Sequence, residues 1–254
     1  MSLAFLNEIQ HRPWPLNPAP WVMQQRWCEL LFAHWPVPPE VLQPLIPAGL
    51  ELETFEGQAW LGVVPFRMEN VKPRFLPALP WLSAFPELNL RTYVRLAGSS
   101  QGAKPGVWFF SLDAGNPVAV EVARSGFHLP YFNARMGLQY EGQNWVRYTS
   151  QRTDGRAQPT ALKTLYRPTG PVYTSSVGTL EHWLTERYCL YAADPRGQLY
   201  RGEIHHRPWP LQLAEAQFEL NTLALPIGLA LNSQAACLHF VKRIDVVAWA
   251  IQRV

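Results

Sequence analysis

Short runs of β-favouring residues with period-two alternation recur along this chain, closed by turns rich in proline, glycine, Asn or Asp. They constrain its fold more than any other feature. Such runs predict strands over 26–33, 50–55, 59–66, 87–96, 107–112, 118–123, 145–152, 159–166, 200–206 and 211–220, with a long strand or strand pair over 239–254. Glu56-Gly57 reads as the turn of a hairpin joining 50–55 to 59–66, and 200–206 with 211–220 reads as a second hairpin. Helix signals are few. A short helix is expected over 39–46, with proline at its start where the missing N–H costs nothing. A longer one is expected over 179–193. There Leu180, Trp183, Leu184, Arg187, Tyr188 and Tyr191 recur at three- and four-residue spacing before Asp194-Pro195 stops the pattern. The expected fold is therefore mainly β (a β-rich α+β chain): an antiparallel meander closing into a barrel or two packed sheets, with a few short helices.

The 254 residues suit one domain, 1–254, whose first 20 residues form an extended proline-containing arm after one short helical turn. The proline-rich segment 71–86 is expected to be a covering loop. Hydrophobic content of 48% against 16% charged residues indicates a sizeable core. A net charge of +3, scattered along the chain, gives no nucleic-acid footprint. Cys28, Cys189 and Cys237 are odd in number and far apart, which favours a reducing, cytoplasmic compartment. The start of the chain lacks the basic-then-apolar order of a signal peptide, and no apolar run reaches membrane-spanning length. No GxGxxG, GxxxxGK[ST], HExxH or GxSxG motif is present, so no nucleotide, metal or other cofactor is expected. His205 and His206 are adjacent and point to opposite faces of a strand, a poor chelating pair; a metal site joining one of them to His34, His128 or His182 is the alternative to scattered structural histidines. The hexapeptide HRPWPL occurs at 11–16 and again at 206–211, either as two like-sequenced corners or by coincidence.

Chemistry concentrates between Val107 and Met136. The second strand there, 118–123, would place Val118, Val120 and Val122 on one face and Ala119, Glu121 and Ala123 on the other. Glu121 is then a candidate general base, or one face of a solvated strand. After it come His128, a group that titrates near neutrality or a satisfied core histidine, and Tyr131 and Asn133, which suit a carbonyl or hydroxyl or ordinary turn hydrogen bonds. On the strand 87–96, Asn89, Arg91, Tyr93 and Arg95 share a face. Arg91 offers a planar fork for a carboxylate, or a structural ion pair with Glu121 or Glu87. Tyr93, Tyr131 and Asn133 would complete the rim of a cavity shared by Arg91 and Glu121. Arg187 and Tyr188 read as helix-packing residues, and Trp35, Trp60, Trp108 and Trp209 as core.

Several segments together resemble the YqjF-like proteins, a bacterial family of uncharacterised function: LLFAHWPVPPEVLQPLIPAGLELETFEGQAWLGVVPFRM, NLRTYV, HLPYFNARM, YRPTGPV, LTERYCLY and HHRPWPL. The resemblance runs from about Met23 to the C-terminus. It implies the fold of acetoacetate decarboxylase, a β-rich domain enclosing an apolar pocket. By the same resemblance Glu87 corresponds to a glutamate lining the decarboxylase site. The Schiff-base lysine pair does not carry over: its place falls on Leu129-Pro130 or Tyr131-Phe132, and Lys163 is the only lysine on a candidate inner strand. The expectation is a pocket for a small organic acid or carbonyl compound without imine chemistry; a cofactor-independent acid–base enzyme (lyase or hydrolase) acting on a small organic acid stays open beside it. Expected partners are a small-molecule ligand, with neither nucleic acid nor membrane, and with homo-oligomerisation left open.

Overall fold

A computed structural model describes residues 3–98 and 104–254; the first two residues of the expected arm lie outside them. The chain opens with a single 3-10 turn at Ala4–Asn7 and an irregular arm. It then enters β1 (Met23–Val37), a short helix α1 (Pro39–Leu42) continued by a 3-10 turn, β2 (Leu50–Leu52), β3 (Ala59–Pro73) and β4 (Phe85–Leu96). β5 (Gly106–Ala114) leads to the helix α2 (Pro117–Phe127), followed by β6 (Tyr131–Glu141), β7 (Trp145–Arg152) and β8 (Ala161–Pro168). The helix α3 (Leu180–Thr185), β9 (Cys189–Ala193), β10 (Leu199–His205), β11 (Gln212–Asn221), β12 (Cys237–Ala248) and β13 (Gln252–Arg253) complete it. The strands close a mixed nine-stranded barrel.

Most neighbouring strands are antiparallel, but the meander is interrupted. β5 pairs in parallel with β6 and with β9, because α2 and the segments between carry the chain back across the barrel. The two expected hairpins also pair differently. Glu56 and Gly57 do form a tight turn, both at positive φ, yet only Phe55 and Gln58 bridge across it. β2 instead pairs with β4, and β3 lies between β1 and β4. β10 pairs with β9, β12 and β13, whereas β11 pairs with β8 and β12, so these two strands are not partners.

Two larger corrections concern helices. The expected strand 118–123 is the helix α2. Asn116 caps it: its side-chain oxygen accepts from Val118 N and Ala119 N, both at 3.1 Å, and Pro117 occupies the first turn. Ala119, Val120, Ala123 and Phe127 pack inward at helical spacing, while Val118 and Val122 remain 46% and 52% exposed. Conversely, the expected helix 179–193 ends at Thr185. Cys189–Ala193 becomes a strand clamped between β10 and β5, where Tyr and Leu side chains suit a pleated surface and long-range pairing overrides the local period. The longest helix is therefore α2 among the described residues.

Segment 71–86 is a loop only over 74–84, since β3 continues to Pro73 and β4 begins at Phe85. Asn116 Nδ2 donates to Trp81 O at 3.0 Å and ties this loop to the start of α2. The two HRPWPL copies meet: His11 Nε2 lies 2.9 Å from His206 O, and Arg12, His11 and His206 all pack on the Tyr188 ring. His205 turns instead toward Phe5 and Arg12, so the adjacent histidines do diverge.

Candidate functional site

The barrel encloses a cavity of about 190 Å³. Trp27 and Phe66 from β1 and β3, Phe85 from β4, Phe109 and Leu112 from β5, and Trp209 give it walls that are mostly apolar. Ala119, Val122, Ala123 and Phe127 of α2 lie across one side.

Polarity enters chiefly along β4. Alternate residues of a strand share a face about 6.6 Å apart, and Glu87, Asn89 and Arg91 all turn inward, while Leu88 and Leu90 pack into a separate core on the other side of the sheet. Glu87 is 2% exposed. Burial pushes its carboxyl up from the ordinary 4.5 to about 8, against opposing hydrogen bonds from Tyr131 and Asn89, so it is largely protonated at neutral pH. Tyr131 lines the same wall and donates its hydroxyl to Glu87 Oε2 at 3.0 Å; burial holds that phenol well above its ordinary value.

Arg91 is also buried, and it has no ion-pair partner among the described residues. Its Nη2 donates to Leu184 O at 3.4 Å, its guanidinium lies 5.2 Å from the Phe32 ring centre, and its Nε is buried without any partner. Neutral Glu87 does not offset its charge. Arg187 stands beside it: both guanidinium groups pack on the Tyr93 ring, at 5.7 and 4.9 Å. Arg187 Nε donates to Trp183 O at 2.7 Å and Nη1 is paired with Glu53, leaving Nη2 unpartnered. Asn89 Oδ1 and Trp209 Nε1 are likewise buried without partners, so the polar groups facing this cavity are under-satisfied as a set.

Several expected site residues lie elsewhere. Glu121 sits on the outer face of α2, 61% exposed, and pairs with Arg156 at 2.8 Å; the helix that replaced the predicted strand turned it outward. The ion pair of Arg91 with Glu121 or Glu87 is therefore absent. His128 ends α2 in the left-handed region, φ 52°, and packs on Tyr200. Asn133 is held by Asp154, whose Oδ2 accepts from its backbone and side-chain nitrogens. Tyr93 is fully buried behind the arginines, with its hydroxyl 2.7 Å from His34 Nε2, rather than on the cavity rim. Of the seven candidates, Arg91, Glu87 and Tyr131 share the cavity.

Asn89 and Arg187 were missed as site residues. The period-two face of β4 already placed Asn89 beside Arg91; Arg187 was assigned to a helix that ends before it. Trp209 is buried in the core, as expected, and also forms part of the cavity wall.

No lysine lines the cavity among the described residues. Lys163 is exposed on the outside of β8, correcting its expected inward position. Lys104 and Lys242 are paired with Glu203 and Glu29, each at 2.7 Å. Leu129 and Tyr131, from the two residue pairs expected in place of the lysine pair, both face the cavity. No group of three or more His, Cys, Asp or Glu is arranged to hold a metal ion, and no helix is long and apolar enough to cross a membrane, among the described residues.

Residues 24–245 match the DUF2071 family, described as "Uncharacterized conserved protein (COG2071)". The chain is 44% identical to "Uncharacterized protein YqjF" of Bacillus subtilis (strain 168) over 233 residues, which is 92% of this chain and 93% of that one. Among solved structures it is similar to acetoacetate decarboxylase from Legionella pneumophila subsp. pneumophila str. Philadelphia 1. That match has a TM-score of 0.62 and 15% identity, covering 98% of this chain and 94% of the other. It is also similar to the enduracididine biosynthesis enzyme MppR complexed with the condensation product of pyruvate and imidazole 4-carboxaldehyde (TM-score 0.62, 11% identity, 94% and 90% covered). An acetoacetate decarboxylase-like enzyme from Sphingomonas wittichii RW1 gives a TM-score of 0.60 at 14% identity, with 96% and 97% covered. At these identities the likeness is one of fold. The chain belongs to the DUF2071 family and has an acetoacetate decarboxylase-like fold.

Proposed function

We propose that the barrel cavity binds a small organic acid or carbonyl compound without forming an imine, and that Arg91 anchors the anionic group. The observation that carries this reading is the buried Arg91 guanidinium on the cavity wall, with an unpartnered Nε and no carboxylate beside it. A buried charge without a counter-ion costs several kcal/mol, and a ligand carboxylate would offset that cost with a charge-assisted hydrogen bond. Arg187 Nη2, on the same wall, is a second unpartnered donor. MppR, of similar fold, holds a condensation product of pyruvate, which supports a small acid as the type of ligand. The three free thiols suit a cytoplasmic setting.

The test is thermal stabilisation by a panel of small carboxylates. Wild-type protein is expected to gain stability with at least one acid, and Arg91→Met to gain none. Equal stabilisation of the variant would remove Arg91 from the site. Intact mass after incubation with acetoacetate and borohydride is expected to show no stoichiometric reduced adduct; an adduct on any lysine would restore the decarboxylase mechanism.

The second reading, a cofactor-independent acid–base enzyme, is favoured by Glu87. A carboxyl that burial raises to about 8 and that is bonded to a phenol holds a proton at neutral pH, and its minor ionised fraction can take one from carbon and return it. Its measure is proton–deuterium exchange at carbon in the same acids, followed by NMR in heavy water. Exchange present in wild type and lost in Glu87→Gln would establish it, and no exchange in wild type would leave binding alone.

A further inference from the structure

Resting on the binding reading above, we infer that the ligand is a monocarboxylic acid whose apolar body is about the size of a phenyl ring. Charge sets the first half of this specification. The cavity wall carries one guanidinium without a carboxylate, Arg91, because Arg187 is already paired with Glu53. One negative charge is thereby accommodated. A second carboxylate on the ligand would have to leave water for a mostly apolar wall whose remaining unpartnered donors, Arg187 Nη2 and Trp209 Nε1, bring no uncompensated positive charge. Glu87 strengthens this selection, since an ionised ligand group beside it would hold it in its protonated form and gain no counter-charge.

Volume and chemistry of the walls set the second half. A dry cavity of roughly 150 Å³ lined by Leu, Ile and Phe suffices to bind benzene in another protein, and the cavity here is about 190 Å³. Trp27, Phe66, Phe85, Phe109, Leu112 and Trp209 surround it. Acetate would satisfy Arg91 and leave this apolar space without contact atoms, forfeiting dispersion and burial. An aryl or branched acid of comparable size fills it. Ala119 and Ala123 of α2 are the small residues that keep one side of that space open.

Calorimetric titration of wild-type protein with phenylacetate, acetate and succinate tests the inference. Phenylacetate should bind about tenfold or more tightly than acetate, the gain typical of burying an aromatic side chain, and succinate no more tightly than acetate. Ala123→Phe should erase the phenylacetate advantage while leaving acetate binding in place. Ala119→Leu, on the same helix face, serves if the first variant does not fold. Equal or tighter binding of acetate or succinate by wild type would overturn the inference while leaving the anion site standing. So would a filled cavity that still prefers phenylacetate. Binding of none of the three acids would overturn the anion site itself.

Discussion

Two of the buried arginines of this molecule are held in opposite ways. Arg152, at the end of β7, meets Asp113 at 2.8 Å with both side chains almost wholly out of solvent, and its guanidinium stacks over Phe132. Thr160 also donates to Asp113, at 3.5 Å, and burial raises that carboxyl despite its partner. Arg91, on the inner face of β4, is nearly as buried and has a backbone carbonyl at 3.4 Å, aromatic rings and empty space. The first charge is neutralised by a carboxylate of the fold, although its Nη2, like Arg91 Nε, is buried without a hydrogen-bond partner. The second is left unsatisfied on the wall of a cavity, as a ligand-binding charge must be. Burial alone does not distinguish the two; the partner does.

The contrast can be broken by substitution. Removing Arg152 strands Asp113 in the interior, so Arg152→Met should cost about 3–5 kcal/mol in urea unfolding, the loss usual for breaking a buried pair. Arg91→Met strands no acid and removes a buried charge that has no counter-ion, so it should leave the protein at least as stable as wild type. If both cost the same, the two sites are alike and Arg91 is structural. Glu87 gives the next largest effect. Unfolded, its carboxyl ionises near 4.5; folded, it keeps its proton to about 8. Between these values the unfolded chain binds fewer protons, so stability falls as pH rises from 4.5 to 8. Glu87→Gln removes that slope and should be more stable than wild type by roughly 3 kcal/mol at pH 7, with the advantage vanishing below pH 4.5. The difference between the two proteins isolates Glu87, because His205 and His206, lowered by burial to about 4 and about 3, titrate in both. Arg91→Lys keeps the charge and loses the planar fork, so carboxylate affinity should drop by about 1.5–3 kcal/mol in calorimetry. Smallest of all, Tyr131→Phe deletes one hydrogen bond to Glu87 and should cost about 1 kcal/mol, read from the same urea curves.

Most of the strands were legible in the sequence because alternation is a local signal, and so was the shared face of Arg91 and Asn89 on β4; closure into a barrel rather than two packed sheets came through family resemblance. Glu87 and the lost lysine pair came through family resemblance. What failed depended on choices made at a distance. Val118, Val120 and Val122 alternate like a strand, yet Asn116 and Pro117 supply a helix start, and Ala119, Ala123 and Phe127 find a cavity to cover. That one change of period moved Glu121 from the site to the surface. Tyr188 and Tyr191 follow a helical spacing, but β9 is pinned between β10 and β5, pairings that no local pattern announces. Arg187 was hidden by the same error, since its role depends on the chain having left the helix two residues earlier.

Arg91 is proposed to hold an acid inside the barrel. Crystals grown with 4-bromophenylacetate and measured at the bromine edge test it most directly. The expected map places the carboxylate within hydrogen-bond reach of Arg91 Nε and the bromine signal among Trp27, Phe66 and Phe109. A bromine peak outside the cavity, or a carboxylate held by another cation with Arg91 still unpartnered, would contradict it.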